Sequence, residues 1–185
     1  AVLHPAFVPG PMIMVATLVS AGGMLSEFRS INRTDLGYAL SGRLLAAVMV
    51  ALLIGFMSPQ AFAAVFGLAV LTGVILTLGG LRIAARPSTL FAAGIVSGFM
   101  GTLTSIGAPP MAMVYQDTGG TRMRATLNAY FVVGGCISII TLTFAGHFGW
   151  QQVKLAFFMA PFAFAGLLLS RWGRVFVDRG GVKPI

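Results

Sequence analysis

Acidic side chains are scarce in this chain of 185 residues. Glu27, Asp35, Asp117 and Asp178 are its four carboxylates, against twelve Lys and Arg, and cysteine occurs once, as Cys136. A single thiol excludes an internal disulfide and a cysteine-based metal cluster. The acids fall in loops and the tail, so no carboxylate pair, no Ser/His/Asp set and no metal-ligand spacing can be assembled. The chain is therefore not read as an enzyme, and no cofactor or metal is expected. Charged residues amount to only 9%, while 57% of residues are hydrophobic and the mean hydropathy is +0.93. A soluble chain of this length could not hide that much apolar surface, so the expected class is all-α integral membrane, with the lipid bilayer as a partner. The net charge of +8 does not point to nucleic acid. The basic residues sit in short loops between apolar runs, and no basic stripe with interleaved aromatics occurs.

Five apolar stretches, 10–26, 36–57, 61–81, 125–146 and 151–170, approach the roughly 20 residues needed to cross a bilayer. The connections are short, so the whole chain, 1–185, reads as a single transmembrane domain. A sixth stretch, 90–116, is broken. It runs as a glycine-spaced apolar helix through Gly94, Ser97, Gly98 and Gly101, then meets Ile106-Gly107-Ala108-Pro109-Pro110 and resumes as Met111-Ala-Met-Val-Tyr115. Adjacent prolines remove donors and clash with the preceding turn, so the helix cannot continue through them. In lipid, broken backbone survives only where protein or a water-filled cavity satisfies it, which makes this break a candidate transport site.

Charge selects a topology. If 90–116 crosses fully, Arg29, Arg33, Arg82 and Arg86 face one side and Arg122, Arg124, Arg171, Arg174, Arg179 and Lys183 the other. If it is re-entrant, all of these cations lie on one side, while the opposite loops, Ser58–Gln60 and His147–Trp150, carry no Lys or Arg. The positive-inside rule prefers the re-entrant arrangement. A faint internal repeat agrees with it: Ala16-Thr-Leu recurs as Ala125-Thr-Leu, and Gly37-Tyr38 recurs as Gly149-Trp150 at nearly the same offset. The two copies would run in opposite senses, an inverted repeat with 1–89 as the remainder of one half and 90–185 as most of the other. The repeat partners of Gly94–Pro110 and of 61–81 would then lie before Ala1 and after Ile185, so the chain is expected to be the interior of a longer protein. The absent initial methionine agrees.

The candidate site residues follow from the break. Pro109 and Pro110 suit the first turn of a second half-helix. Beyond them the amides from Met111 onward would carry the partial positive charge that favours anions. Thr104 and Ser105, with Thr102, either add hydroxyls to such a cradle or bond back to their own helix. Gly107 and Ala108 form the open backbone between the two arms. Arg43, about seven residues inside its span, is either a counter-charge for an anion or a side chain that snorkels to the surface. Lys154, one turn inside its own span, reads as snorkelling. Asn128 and Thr126, with Thr17 and Ser20 in the other half, either close the site or bond between helices.

The stretch Gly94-Ile-Val-Ser-Gly-Phe-Met-Gly-Thr-Leu-Thr-Ser-Ile-Gly-Ala-Pro-Pro110 resembles the second signature of the sulfite exporter TauE/SafE family of membrane permeases. The resemblance extends through Ala125-Thr-Leu-Asn, Gly149-Trp150 and Arg33-Thr-Asp-Leu, and departs from the family at Ser105 and Ala108, where glycine is usual. It implies an eight-segment protein of two related halves in the cell membrane, a bacterial inner membrane. It further implies transport of small anions such as sulfite, organosulfonates or small carboxylates. A homo-oligomer is compatible with this reading. An anion channel with a re-entrant selectivity loop and a non-transporting membrane scaffold are the rival functions.

Overall fold

The computed structural model describes residues 9–78, 83–116 and 120–178, with backbone alone for 168 and 170–178. Arg82, Arg179 and Lys183 of the charge argument therefore lie outside the described residues. The described residues form seven α-helices: α1 Gly10–Ser26, α2 Arg33–Ile54, α3 Pro59–Leu78, α4 Pro87–Thr104, α5 Ala108–Val114, α6 Gly120–Phe144 and α7 Trp150–Asp178. A short 3₁₀ turn, Phe28–Ser30, precedes α2, and no strand occurs among the described residues. Helices α2, α3 and α6 are each long and apolar enough to cross a membrane, and α1 is a shorter apolar helix of 17 residues. Each of the five expected spans is thus helical over most of its length, with 79–81 of the third lying outside the described residues. The last runs on to Asp178, well past its expected end at residue 170.

Local chemistry sets the helix ends. Asn32 caps α2 by accepting from the Asp35 amide at 3.4 Å, and its side-chain amide donates to the Asp35 carboxylate. Asp35 also places a negative charge in the first turn, where the helix dipole favours it. Pro87 occupies the start of α4, and the Thr89 hydroxyl accepts from the Arg86 amide at 2.9 Å. Helix α6 stops at Gly146, whose φ of 77° lets the His147 amide turn back to the Leu142 carbonyl at 2.8 Å.

The tightest helix pair is α2 on α4. A methyl group at Gly94 would run into the Ala39 carbonyl, and one at Gly42 into the Phe91 carbonyl. Between lipid-embedded helices close backbone approach replaces the hydrophobic effect as the source of attraction, because lipid tails are as apolar as the side chains. Helix α1 lies along α6, with Thr17 against Gly135 and Asn128 against Gly23. Helix α3 sits outside, with only Ala69 and Gly73 buried.

Contacts between parts of the chain distant in sequence sort the connections into two ends. Arg124 at the start of α6 pairs with Glu27 at the end of α1 at 2.8 Å, and the Asn32 amide donates to Thr126 at 3.1 Å. At the other end a methyl on Gly55, after α2, would stand 3.4 Å from His147, and Phe148 packs on Gly10. The link between α1 and α2 therefore shares an end with the start of α6. The links α2–α3 and α6–α7 share the opposite end.

Between α4 and α5 the chain reverses. Ser105 adopts a φ of 64° and its amide bonds the Gly101 carbonyl at 3.0 Å, closing the helix. Gly107 then lies against Ser97 and Gly101, and the Ser97 hydroxyl donates to the Gly107 carbonyl. Helix α5 returns along α4. Its residues Met111 and Val114, with Tyr115 just beyond, join Leu90 and Ala93 from the start of α4 in one buried cluster with Ala39 and Tyr130.

Candidate functional site

Arg43 lies in the middle of α2 with only 3% of its surface exposed, the only charged side chain buried among the described residues. A charge costs several kcal/mol to bury when nothing offsets it, on the order of the desolvation penalties of ion pairs. Its offsets here are weak. Nη2 reaches the Ser138 hydroxyl at 3.5 Å, and the Tyr130 ring centroid is 5.1 Å from the guanidinium carbon. Nε and Nη1 are buried with no hydrogen-bond partner. The side chain does not snorkel.

Two glycines make room for the guanidinium. A methyl at Gly134 on α6 would occupy the place of Nε and Cδ, and a methyl at Gly101 on α4 would stand 3.3 Å from Nη2. Tyr130, one turn before Gly134, covers the guanidinium and anchors its own hydroxyl by donating to the Gly94 carbonyl at 3.4 Å. Ser138, one turn after Gly134, bonds Thr102 of α4 at 2.9 Å and the Gly134 carbonyl at 3.0 Å. The slot thus belongs to α2, α4 and α6 together.

Beside the guanidinium is a cavity of about 30 Å³, lined by Ile13, Ala16, Thr17, Arg43, Gly101, Ser105, Gly107, Phe131 and Gly135. That volume has room for about two waters. The α4–α5 turn forms one wall and α1 the opposite one. The hydroxyls on the lining are already engaged: Thr17 donates to Ile13 at 2.7 Å and Ser105 to the Pro9 carbonyl at 3.1 Å. The side-chain donors left over on this lining are those of Arg43. A larger groove, among Met49, Leu68, Phe99 and their neighbours on α2, α3 and α4, is apolar throughout apart from Thr72.

A broken helix, a buried cation beside the break and close-packed apolar helices thus meet at one place. The model for the family described as Sulfite exporter TauE/SafE matches residues 1–185, the whole chain. The chain belongs to this family. No curated protein and no solved structure matches it. TauE/SafE proteins are membrane permeases, which agrees with the three described helices that are long and apolar enough to cross a membrane.

This TauE/SafE chain brings only some of the sequence candidates together. Arg43, Ser105 and Gly107 line the cavity. Thr104 instead bonds back to the Met100 carbonyl at 2.7 Å and accepts from the Ile106 amide at 3.1 Å. Ala108 is exposed, Pro109 faces Gly73 of α3, and Pro110 is buried. Met111 is fully buried in the apolar cluster. Because α5 already begins at Ala108, helical register supplies carbonyls at 107–109 for the amides of residues 111–113. The amides left over at this helix start are those of Gly107 and Ala108. Asn128 faces α1, against Gly23, on the same side of α6 as Gly135 but about 10 Å nearer its start at 1.5 Å per residue. Thr17, which the sequence offered with Ser20 as either closing the site or bonding between helices, lines the cavity while its hydroxyl bonds back to Ile13. Tyr130, Gly134, Gly135 and Ser138 were not singled out in the sequence as site residues. Their signal is the recurrence of small and polar residues along one face of α6, visible only once α2 is known to lie beside it.

Proposed function

We propose that this protein is a secondary permease for small anions in the cell membrane, and that the anion binds Arg43 in the cavity at the α4–α5 turn. The observation that carries this reading is the buried guanidinium with two unpartnered nitrogens beside the only turn in the described chain that interrupts an apolar hairpin. A broken helix beside a polar residue deep in an apolar span is the arrangement of secondary carriers.

In this reading α4 and α5 form a re-entrant hairpin. The pairing of Glu27 with Arg124, and the approach of Gly55 to His147, support it. A full crossing by 90–116 would put the members of each pair on opposite faces. The inverted repeat belongs to the same proposal, and transport proceeds by rocking α1 and α6 against the α2–α4–α5 unit around Arg43. Sulfite, sulfonates and small carboxylates are the substrate candidates.

The test is flux of sulfite from liposomes containing the full chain. Charge-assisted hydrogen bonds contribute about 1.5–3 kcal/mol each, so Arg43→Gln is expected to reduce flux by at least about tenfold. Lys154→Gln is the control. Lys154 is exposed and lies 5.9 Å from the Trp150 ring, and its loss is expected to change little. Equal small effects of the two substitutions would remove the anion from Arg43.

A further inference from the structure

We infer that the Arg43 site accepts singly charged anions and rejects dianions of the same size. The inference deepens the proposed function and rests on it. Among the described residues, three elements besides α2 surround the guanidinium. Helix α1 contributes Ile13, Ala16 and Thr17; α4 and its turn contribute Gly101, Ser105 and Gly107; α6 contributes Phe131 and Gly135 to the cavity and Tyr130, Gly134 and Ser138 to the guanidinium itself. Among these residues Tyr130 is the only titratable group besides Arg43, and its hydroxyl is spent on the Gly94 carbonyl. No second buried cation occurs among the described residues.

Charge balance follows directly. An arginine stays protonated at any pH a protein survives. With a monoanion bound, the buried site is neutral. With a dianion it carries a net negative charge in a low-dielectric interior, where an uncompensated charge is strongly disfavoured. Donor supply points the same way. Thr17 and Ser105 already donate to backbone carbonyls, and Thr102 and Ser138 bond each other. The side-chain donors that remain are the unpartnered nitrogens Nε and Nη1. With the Gly107 amide on the same lining, they give a headgroup a few donors but only the single positive charge of Arg43 to balance it.

This selectivity predicts a pH dependence set by the substrate and not by the protein. Sulfite loses its second proton near neutral pH. Methanesulfonate is a monoanion, and sulfate a dianion, throughout the neutral and mildly alkaline range. The experiment measures half-saturating sulfite for the full chain in liposomes across that range, with methanesulfonate and sulfate as competitors. Half-saturating total sulfite is expected to rise about tenfold per pH unit above its second ionisation, because only the monoanionic fraction is competent. Methanesulfonate should compete equally at every pH, and sulfate at least about tenfold more weakly. If sulfate competes as well as methanesulfonate and sulfite affinity is flat with pH, charge selection is overturned while an Arg43-dependent site still stands. If methanesulfonate and sulfite weaken together as pH rises, a protein group sets the dependence and the inference fails. If flux and competition are the same in Arg43→Gln as in the parent, the site reading itself fails and the inference with it.

Discussion

Gly134 is where the arginine site is most sensitive to a single atom. Its missing Cβ is the space that Nε and Cδ of Arg43 fill, and Gly101 leaves the facing wall open. Lysine could not use this slot in the same way, since it offers a point charge where the slot is shaped for a planar group. Gly134→Ala is expected to push the guanidinium out of its place, reducing flux by at least about tenfold and lowering the melting temperature of the purified protein. The decisive comparison is a double-mutant cycle, since contacting residues couple by about 0.5–3 kcal/mol. In an Arg43→Ala background the added methyl has nothing to collide with, so its effect on melting temperature should nearly vanish. An equal loss in both backgrounds would assign Gly134 to helix packing alone. At this scale the sequence was half legible. An arginine inside an apolar span stands out by itself, but the glycine that accommodates it is one of 24 and lies far away in the chain. Asn128 shows the converse. Its polarity marks it in the sequence, yet its position on α6 carries it past the cavity to Gly23.

The break between α4 and α5 was legible as an element, though its cause lies elsewhere than the prolines suggest. The reversal happens at Ser105, the one non-glycine with positive φ among the described residues, and is clasped by the Ser97 bond to Gly107. Pro109 and Pro110 come after it, at positions in the first turn where a missing amide donor costs nothing. Straightening the hairpin would pull Met111, Val114 and Tyr115 out of their cluster, and vacating even one such buried position typically costs about 2–5 kcal/mol. Replacing both prolines by alanine is therefore expected to leave the reversal in place and flux within about threefold of the parent, a difference below 1 kcal/mol. Ser105→Val is expected to be far worse, because a β-branched residue in the left-handed region is a true outlier. Ser105→Gly relieves that backbone cost but gives up the hydroxyl bond to Pro9. Melting temperature and flux measured side by side decide the matter. A tenfold fall in flux for the double alanine, at unchanged melting temperature, would return the anion to the amides near the prolines. Amphipathic pattern could not settle this in advance, since both arms are apolar all round and helix register at a break depends on which carbonyls remain free.

For the molecule as a whole, loop charge carried more information than hydrophobicity. Apolar runs located most helix ends to within a few residues, α7 running on to Asp178 being the exception, but any number of bundles can be built from them, because lipid-facing and buried side chains look alike in composition. What distinguishes a full crossing from a hairpin at 90–116 is which loops share a face. The cations of the loops and the contacts of the fold speak to that independently: Arg124 meets Glu27, and the arginine-free links after α2 and α6 approach each other at Gly55 and His147. The proposed re-entrant hairpin accounts for both, since a salt bridge cannot span about 30 Å of hydrocarbon. The measurement is cysteine accessibility in sealed cells, in a background where the exposed Cys136 is replaced by serine. Ser88 before the hairpin and Thr121 after it are both exposed, as are Gln60 and Gln151 at the other end. Cysteines at 88 and 121 are expected to react with an impermeant reagent only after the cells are opened, in keeping with the positive-inside rule. Cysteines at 60 and 151 should react in intact cells. Labelling of 88 and 121 from opposite faces would make 90–116 a full crossing, break the inverted repeat, and separate the α4–α5 turn from the hairpin geometry on which the Arg43 site depends.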